Sequence, residues 1–375
     1  MVRAEKRLRS LSAWGGMSDD ETIRGEAPRY PDRATIRDVA ARAGVSIGTA
    51  SKALNDNGRL KQETRDKVIA AAQALGFRPN AMAQSLHRTR SMTVGILTTD
   101  SFGRFIFPIL EALEEMLAGH GIAIFMCNAT DDPVREQQHL DQLLGKRIDG
   151  LLVTARRMDT RPAIAVPARS MPVIYVFSQA DDPDALCLLP DDRGGAILAV
   201  QHLIDGGRRR IAHITGPAEF EAVNLRHAGY LEAMAASGIA VSAEYYRNGQ
   251  WSEAWGREAV EQLFDGQSEP PDALFCGNDQ IARGATDALR ERGLSVPRQV
   301  AVVGFDNWDV MTLAARPPLS SIDMNLRALG RAAGERLIAM IAGERLTGVE
   351  RLPCSLVVRQ SSDITRTKEK TEETL

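Results

Sequence analysis

The chain has 375 residues, 44% of them hydrophobic and 25% charged, which fits a soluble globular protein of two or three domains. No apolar run reaches the roughly 18–20 residues that a membrane helix needs, and the basic, polar stretch from Met1 to Glu21 lacks the apolar segment of a secretory signal. The formal net charge of −3 hides an asymmetry: residues 34–90 carry ten Lys/Arg against four Asp/Glu, residues 1–33 seven against six, and the remainder holds −10. A small basic module on a large acidic body points to nucleic acid met by the module alone, although chance clustering would give the same count. Cys127, Cys187, Cys276 and Cys354 lie far apart with no CxxC pair, so no zinc or disulfide framework is indicated.

Residues 1–33 show no periodicity and contain Gly15, Gly16, Gly25, Pro28 and Pro31; they read as a disordered arm. Thr35 with Asp38 three residues on predicts a capping box, with Asp in place of the usual Glu. Ile36, Val39, Ala40 and Ala43 then recur at helical spacing, and Gly44 ends that helix. Ser46 N-caps a second helix from about Ile47 to Leu54, stopped by residues 55–58. A third helix spans about Gln62 to Leu75, with Val68, Ile69, Ala72 and Leu75 on one face and Gly76 just past its end. Helix, tight turn and second helix form a helix-turn-helix, whose second helix enters the major groove of DNA. From Asn80 to Leu86 the chain has room for one or two helical turns. Such a segment is either a linker or a hinge helix that forms only when DNA or a partner supplies contacts.

From Thr93 the pattern becomes alternating strands and helices. Strands are predicted at Val94–Leu97, Ile122–Met126, Gly150–Val153, Val173–Val176, Ile211–Ile214, Ala273–Cys276 and Val300–Phe305. Helices are predicted at Phe107–Ala118, Pro133–Leu144, Gly194–Ile204, Asn224–Ser237, Glu253–Phe264 and Ile281–Arg292. Repeated βα units imply parallel sheets with helices on both faces, and this many units implies two doubly wound lobes. Ligands of such folds sit beyond the carboxyl ends of the strands. Asp100, Ser101, Asn278, Asp279, Gln280, Asp306 and Asn307 occupy those places, with Arg226 early in a helix and Trp251 in a loop. Carboxylates, amides and a guanidinium suit paired hydroxyls, and a flat indole suits a sugar face. Each has a plain alternative: Asp279 and Asp306 as helix caps, Trp251 and Trp255 as core. No GxSxG, HExxH, P-loop or GxGxxG pattern is present, and the six histidines are scattered. The expectation is a non-enzyme without metal or cofactor.

Thr35-Ile36-Arg37-Asp38-Val39-Ala40, Ala43-Gly44-Val45-Ser46, Thr49-Ala50-Ser51-Lys52-Ala53-Leu54-Asn55 and Gly76-Phe77-Arg78-Pro79-Asn80-Ala81 together resemble the LacI/GalR family of bacterial repressors. Arg147-Ile148-Asp149-Gly150-Leu151, Gly207 to Ala212, Asn278-Asp279 and Val303-Gly304-Phe305-Asp306 extend the resemblance over nearly the whole chain outside its tails. It implies an all-α helix-turn-helix headpiece and an α/β core of two doubly wound parallel-sheet lobes, like a periplasmic binding protein. It further implies a cytoplasmic homodimer on near-palindromic operator DNA, controlled by a small-molecule effector such as a sugar. By this resemblance Ile47, Gly48 and Lys52 read bases, and Thr49 and Ser51 position phosphates. Thr35, Ser46 and Asn55 join them on the headpiece, and Asn80, Ala83 and Leu86 on the hinge, with Leu86 as a minor-groove wedge. Asp100, Phe105, Phe177, Arg226, Trp251, Asn278 and Asp306 fall at effector positions.

The sequence also departs from the family. Lys52 stands where Arg is usual, so bidentate reading of guanine gives way to a point charge. Gln84 replaces a basic hinge residue, Lys61 replaces a Ser or Thr cap, and Phe177 replaces an Asp or Asn ligand. The resulting division is an arm at 1–33, a DNA-binding domain at 34–79, a hinge at 80–90, a core at 91–363 and a charged tail at 364–375. Within the core the N-lobe takes about 91–191 and 323–349, and the C-lobe about 192–322 and 350–363. The expected function is a repressor of a small-molecule uptake or catabolic operon, released by its ligand. The alternatives are a regulator that needs a purine-like co-repressor and, from another class, a solute-binding transport protein.

Overall fold

The computed structural model describes residues 34–55, 59–77, 90–101, 103–166, 171–265 and 269–363. The arm, the hinge segment at 80–86 and the tail expected from sequence lie outside the described residues. The chain divides into two compact units between residues 87 and 88.

In the first unit, α1 (Ile36–Ala43), α2 (Ile47–Leu54) and α3 (Gln62–Ala74) surround a small core of Val39, Ala40, Ala50, Ala53, Val68, Ala71 and Ala72. Gly44 closes α1 at φ 66°, a left-handed conformation that favours glycine. Lys61 offers α3 no side-chain cap, as its chemistry requires. Ile69, expected on the buried face, is 39% exposed, and Ala71 takes that place. Val68, Ala71 and Ala72 share one face at i, i+3 and i+4 spacing, and Ile69 lies about 100° round the helix from Val68.

The second unit holds two six-stranded sheets. The first runs β13-β7-β5-β3-β1-β2, all parallel, and the second β14-β12-β11-β10-β8-β9, parallel except for the antiparallel edge strand β14. Their strands are β1 (Thr93–Thr98), β2 (Ala123–Asn128), β3 (Gly150–Thr154), β5 (Val173–Val176), β7 (Leu186–Pro190) and β13 (Gly348–Leu352), then β8 (Ile211–Thr215), β9 (Tyr246–Asn248), β10 (Ala273–Cys276), β11 (Ala301–Phe305), β12 (Ser320–Asp323) and β14 (Ser355–Val357). A small pair, β4 (Thr160–Arg161) with β6 (Gln179–Ala180), flanks the first sheet. The helices are α4 (Ile106–Ala118), α5 (Pro133–Gly145), α6 (Asp192–Asp205), α7 (Glu221–Ala236), α8 (Glu253–Phe264), α9 (Asp279–Glu291), the short α10 (Asp309–Thr312) and α11 (Leu326–Ala342). Strands β3, β7, β8, β10 and β11 are buried along their whole length, as central strands of doubly covered sheets must be. Where α8 crosses α9, a Cβ on Gly284 would fall 1.9 Å from the Glu253 carbonyl oxygen, so only glycine permits this approach. No described helix is long and apolar enough to cross a membrane.

The lobe boundary differs from the sequence reading at one crossing. Residues 350–352 belong to β13 and pair with β7 in the first sheet, so the chain returns to the second lobe after Leu352, not at 349. Beyond Phe305 the sequence pattern assigned no element, yet α11 packs on α4 and β12 and β14 complete the second sheet.

Candidate ligand cleft and nucleic-acid interface

In the headpiece, the carboxylate of Asp38 accepts from both the N–H and the hydroxyl of Thr35, each at 2.7 Å. The Thr35 hydroxyl, then its N–H, hold that carboxyl below its ordinary range. Thr35 is thus committed to starting α1. Ser46 caps α2 by accepting from the Thr49 N–H at 3.1 Å, and the Ser46 and Thr49 hydroxyls lie 2.9 Å apart. Ala50 and Ala53 point inward, which turns Ser46, Ile47, Gly48 and Lys52 outward on the first turns of α2. Ile47 is 48% exposed, an apolar side chain of the kind that meets a thymine methyl in the major groove. A Cβ at Gly48 would meet nothing nearer than the Ser46 hydroxyl at 3.8 Å, so its surface is open. Ser51 accepts from Asn55 at 3.3 Å, and both are half-buried at the rim of this face. Asn80, Ala83 and Leu86 lie outside the described residues.

In the core, the strand ends of the two sheets meet through side chains. Arg226, on α7 and 4% exposed, donates through Nε to Asp192 at 2.6 Å and through Nη1 to the Gly277 carbonyl. Its Nη2 stands 3.6 Å from Asp306, and its guanidinium lies 3.7 Å from the centroid of the Phe305 ring and 6.0 Å from that of Trp251. Burial alone would lower Arg226, but the carboxylates of Asp192 and Asp306 outweigh it and hold the group charged. Burial raises the Asp192 carboxyl, opposed by Arg226. Asp306 also pairs with Arg104, which comes from the other lobe. The Arg104 guanidinium sits between two rings, 4.9 Å from that of Phe105 and 4.5 Å from that of Trp308, with Gln280 at 3.5 Å. Phe105 stacks on Phe177 at 4.6 Å. Phe177 and Asp306 have φ of 54° and 98°, left-handed conformations uncommon for non-glycine residues, Asp less so than Phe.

Phe105, Phe177, Arg226, Trp251 and Asp306 therefore form one connected group. Asp100 and Asn278 each cap a helix. Asp100 accepts from the N–H groups of Gly103, Phe105 and Ile106 at 2.9–3.1 Å and so caps α4. Asn278 accepts from Ile281 at 2.8 Å and caps α9. Both residues thus serve as helix caps at the strand ends where the effector site is expected. Asp279 accepts from the Ser321 hydroxyl at 2.5 Å and the Trp308 N–H at 2.6 Å, and burial, then Asp306, pushes its carboxyl up. Trp251 stacks near Phe220 at 6.5 Å. Sequence reasoning missed Arg104, Asp192 and Trp308. Arg104 follows a strand end by six residues and carried a legible signal, a lone cation at the start of a predicted helix. Asp192 had none, because its partner lies 34 positions away. Among the described residues no group of His, Cys, Asp or Glu side chains is arranged to hold a metal.

The family model for bacterial regulatory proteins of the lacI family matches residues 35–80, and that for the periplasmic binding protein-like domain matches residues 200–362. The HTH-type transcriptional repressor CytR of Escherichia coli (strain K12) is 30% identical over 338 residues, 90% of this chain and 98% of the relative. Catabolite control protein A of Priestia megaterium is 32% identical over 333 residues, 88% and 99% of the two chains. The crystal structure of the Lac repressor dimer bound to operator and the anti-inducer ONPF superposes with a TM-score of 0.73 at 29% identity, covering 88% of this chain and 99% of that one. A DNA-reading headpiece joined to a two-lobed ligand-binding core defines a ligand-controlled transcription repressor. The chain belongs to the lacI family of bacterial regulatory proteins.

Proposed function

We propose that the protein acts in the cytoplasm as a homodimer on a near-palindromic operator, with Ser46, Ile47, Gly48 and Lys52 of α2 facing base edges. Thr49 and Ser51, with their hydroxyls at the rim, position phosphates. A small polyhydroxyl effector, a sugar or a close relative, enters the cleft at Arg226, Asp306, Trp251, Phe105 and Phe177 and releases the operator of an uptake or catabolic operon. The observation that carries this reading is the Arg226–Asp306–Arg104 network among aromatic rings. It offers the Asp306 carboxylate as acceptor for hydroxyls, the Arg226 guanidinium as donor to their oxygens and flat faces for C–H surfaces. The chain performs no catalysis in this reading.

A second reading is favoured by one observation, the Phe105–Phe177 stack where a hydrogen-bonding ligand was expected. Two stacked rings suit a planar heterocycle, and such a ligand, purine-like, would act as a co-repressor. Gel shifts on the DNA upstream of the protein's own gene, with panels of sugars and of nucleobases, separate the two. Release by a sugar supports the first and tightening by a nucleobase the second. Absence of any specific shift without ligand and with either panel refutes both.

A further inference from the structure

Asp279 opens α9 and is wholly buried. Its carboxyl is fixed from three sides. The Ser321 hydroxyl of β12 donates to one oxygen at 2.5 Å, and the Trp308 N–H, just before α10, donates to the other at 2.6 Å. On β11 a Cβ at Gly304 would overlap Oδ1, so only glycine there lets the carboxyl lie against the sheet. We propose that Asp279 is a proton switch: uncharged at neutral pH, it loses its proton under alkaline conditions and, as a carboxylate, tightens the bridge between Asp306 and Arg104 of the other lobe.

Where the lobes meet, Asp192, Asp279 and Asp306 face two guanidiniums, those of Arg104 and Arg226. Arg226 pairs with Asp192 at 2.6 Å and lies 3.6 Å from Asp306, and Arg104 pairs with Asp306. Asp279 forms an ion pair with neither. With all five groups ionised, one buried negative charge would stand uncompensated. A buried charge in that position is relieved by taking up a proton. Asp279 is where the proton belongs, as the one carboxyl of the three without a guanidinium of its own. Burial, then the Asp306 carboxylate, pushes it well above the ordinary carboxylate range, against the pull of Ser321, the Trp308 N–H and Arg104.

The other charged groups on the elements around Asp279 do not neutralise it. Arg359 and Asp323 both bind Asn307, and Arg359 also faces Asp309 of α10 at 4.0 Å. Arg283 of α9 faces Glu253 of α8 at 3.7 Å. Arg351 of β13 acts on Asp192 and is exposed to water. The Cys276 thiol at the end of β10 is pushed up by burial and then by Asp279, so it stays neutral.

The proton and the bridge are coupled. Arg104 is the cation that favours the ionised form of Asp279. By reciprocity an ionised Asp279 holds Arg104 more firmly at the Asp306 turn, and a departing Arg104 raises the proton affinity of Asp279. Alkaline pH therefore favours the bridged lobes. Any effect on operator release rests on the proposed effector cleft; the proton and its link to Arg104 do not.

The test is an infrared titration of the full chain from about pH 5 to about pH 10, following the C=O stretch of protonated carboxyl groups. Asp279→Asn imitates the protonated form, its amide oxygen accepting from Trp308 and its amide N–H turned to the Ser321 oxygen. At neutral pH the wild type should show a band that Asp279→Asn lacks, and the band should fade on the alkaline side. Its midpoint should rise in Arg104→Met, which removes the cation, and fall in Asp306→Asn, which removes the like charge, by about tenfold in proton affinity each. Urea unfolding gives a second readout. A raised carboxyl contributes stability that is present at low pH and lost as pH rises, so Asp279→Asn should gain on the wild type toward the alkaline end. Identical neutral spectra for wild type and Asp279→Asn overturn the proposal, as does a stability difference that is flat with pH. A midpoint unmoved in Arg104→Met overturns it too, and that variant decides alone should Asp306→Asn fail to fold. A ligand panel that finds no effector would sink the cleft reading and leave each of these results standing.

Discussion

Arg226→Met is expected to be far more damaging than the loss of one contact. Arg226 is the buried counterion of Asp192, which is 0% exposed and already has one oxygen without a partner among the described residues. Methionine keeps length and apolar bulk but leaves that carboxylate uncompensated. Breaking a buried pair from one side costs roughly 3–5 kcal/mol, and for a domain of this size 1 kcal/mol moves Tm by about 2–4 °C. The Tm should therefore drop by on the order of 6–20 °C. The double variant Arg226→Met/Asp192→Leu removes both charges and should recover at least half of the loss, because an apolar pair needs no counterion. The sign with pH is also fixed. In the single variant burial raises the Asp192 carboxyl with only the weaker pull of Arg351 to oppose it. A raised carboxyl gives stability that is present at low pH and lost as pH rises, so urea unfolding should show the single variant closest to wild type at the acid end of the profile and furthest from it at the alkaline end. Effector binding should be lost in both variants. A single variant within 1 kcal/mol of wild type, or a double variant no better than the single, would refute the account of Arg226 as a buried, charge-balanced anchor.

Lys52→Ala should weaken specific operator binding by about 1–3 kcal/mol if the lysine reads a base edge; an equal loss on random DNA with a shallower salt slope would assign it to phosphate, and no change on either would remove α2 from the interface. Burial pushes His213 down to about 3, so the folded chain stays neutral while the unfolded chain takes a proton below about pH 6.5. Stability is then full above that pH and falls as pH drops, by roughly 2 kcal/mol between pH 7 and pH 5; in His213→Phe this part of the urea pH profile should flatten, and an unchanged slope would show that another group is responsible. Gly284→Ala should cost at least 2 kcal/mol, a core-overpacking penalty, since its Cβ would meet backbone of α8 at 1.9 Å; a neutral effect by calorimetry would mean that the two helices can part freely.

The sequence made the headpiece legible almost residue by residue, because local chemistry writes it. The capping pair Thr35 and Asp38, the N-cap Ser46 and the stop at Gly44 are all within four positions of what they act on. The first core strands were legible for the same reason, as short apolar runs between helices. What escaped depends on distance. β7, Leu186–Pro190, is an apolar run as well, but no helix separates it from β5, so it falls outside the alternation of strands and helices. α11 begins after Asn325, which sits at φ 53° without a side-chain cap, so it lacks the start signal that marked α1 and α2. The site divided along the same line. Asp306 after a strand, Arg226 early in a helix and Trp251 in a loop were singled out from sequence, and the structure brings the three side chains together. The capping bonds of Asp100 and Asn278 were not read from sequence, since a ligand carboxamide and a helix cap are the same residue type at the same place. Only the observed bonds to Gly103, Phe105, Ile106 and Ile281 separate the two.

Arg104 suggests how ligand and lobes are coupled. Its pairing with Asp306 puts a guanidinium of one lobe on the carboxylate of the other, at the point where a hydroxyl-bearing effector would seek an acceptor. A ligand can shift an equilibrium only by the difference between its affinities for the two states. An effector that takes Asp306 must displace Arg104 from the rings of Phe105 and Trp308, and the lobe geometry that suited the ion pair then no longer suits the occupied cleft. That exchange gives the ligand its differential interaction. Arg104→Met should therefore raise effector affinity in the free protein, because the competitor is gone, while reducing the change in operator affinity that the effector produces. Isothermal titration of the variant with an effector found by the ligand panel, followed by operator binding with and without it, measures both quantities. Weaker effector binding in Arg104→Met would show that the arginine is a ligand contact, and the exchange mechanism would then fail.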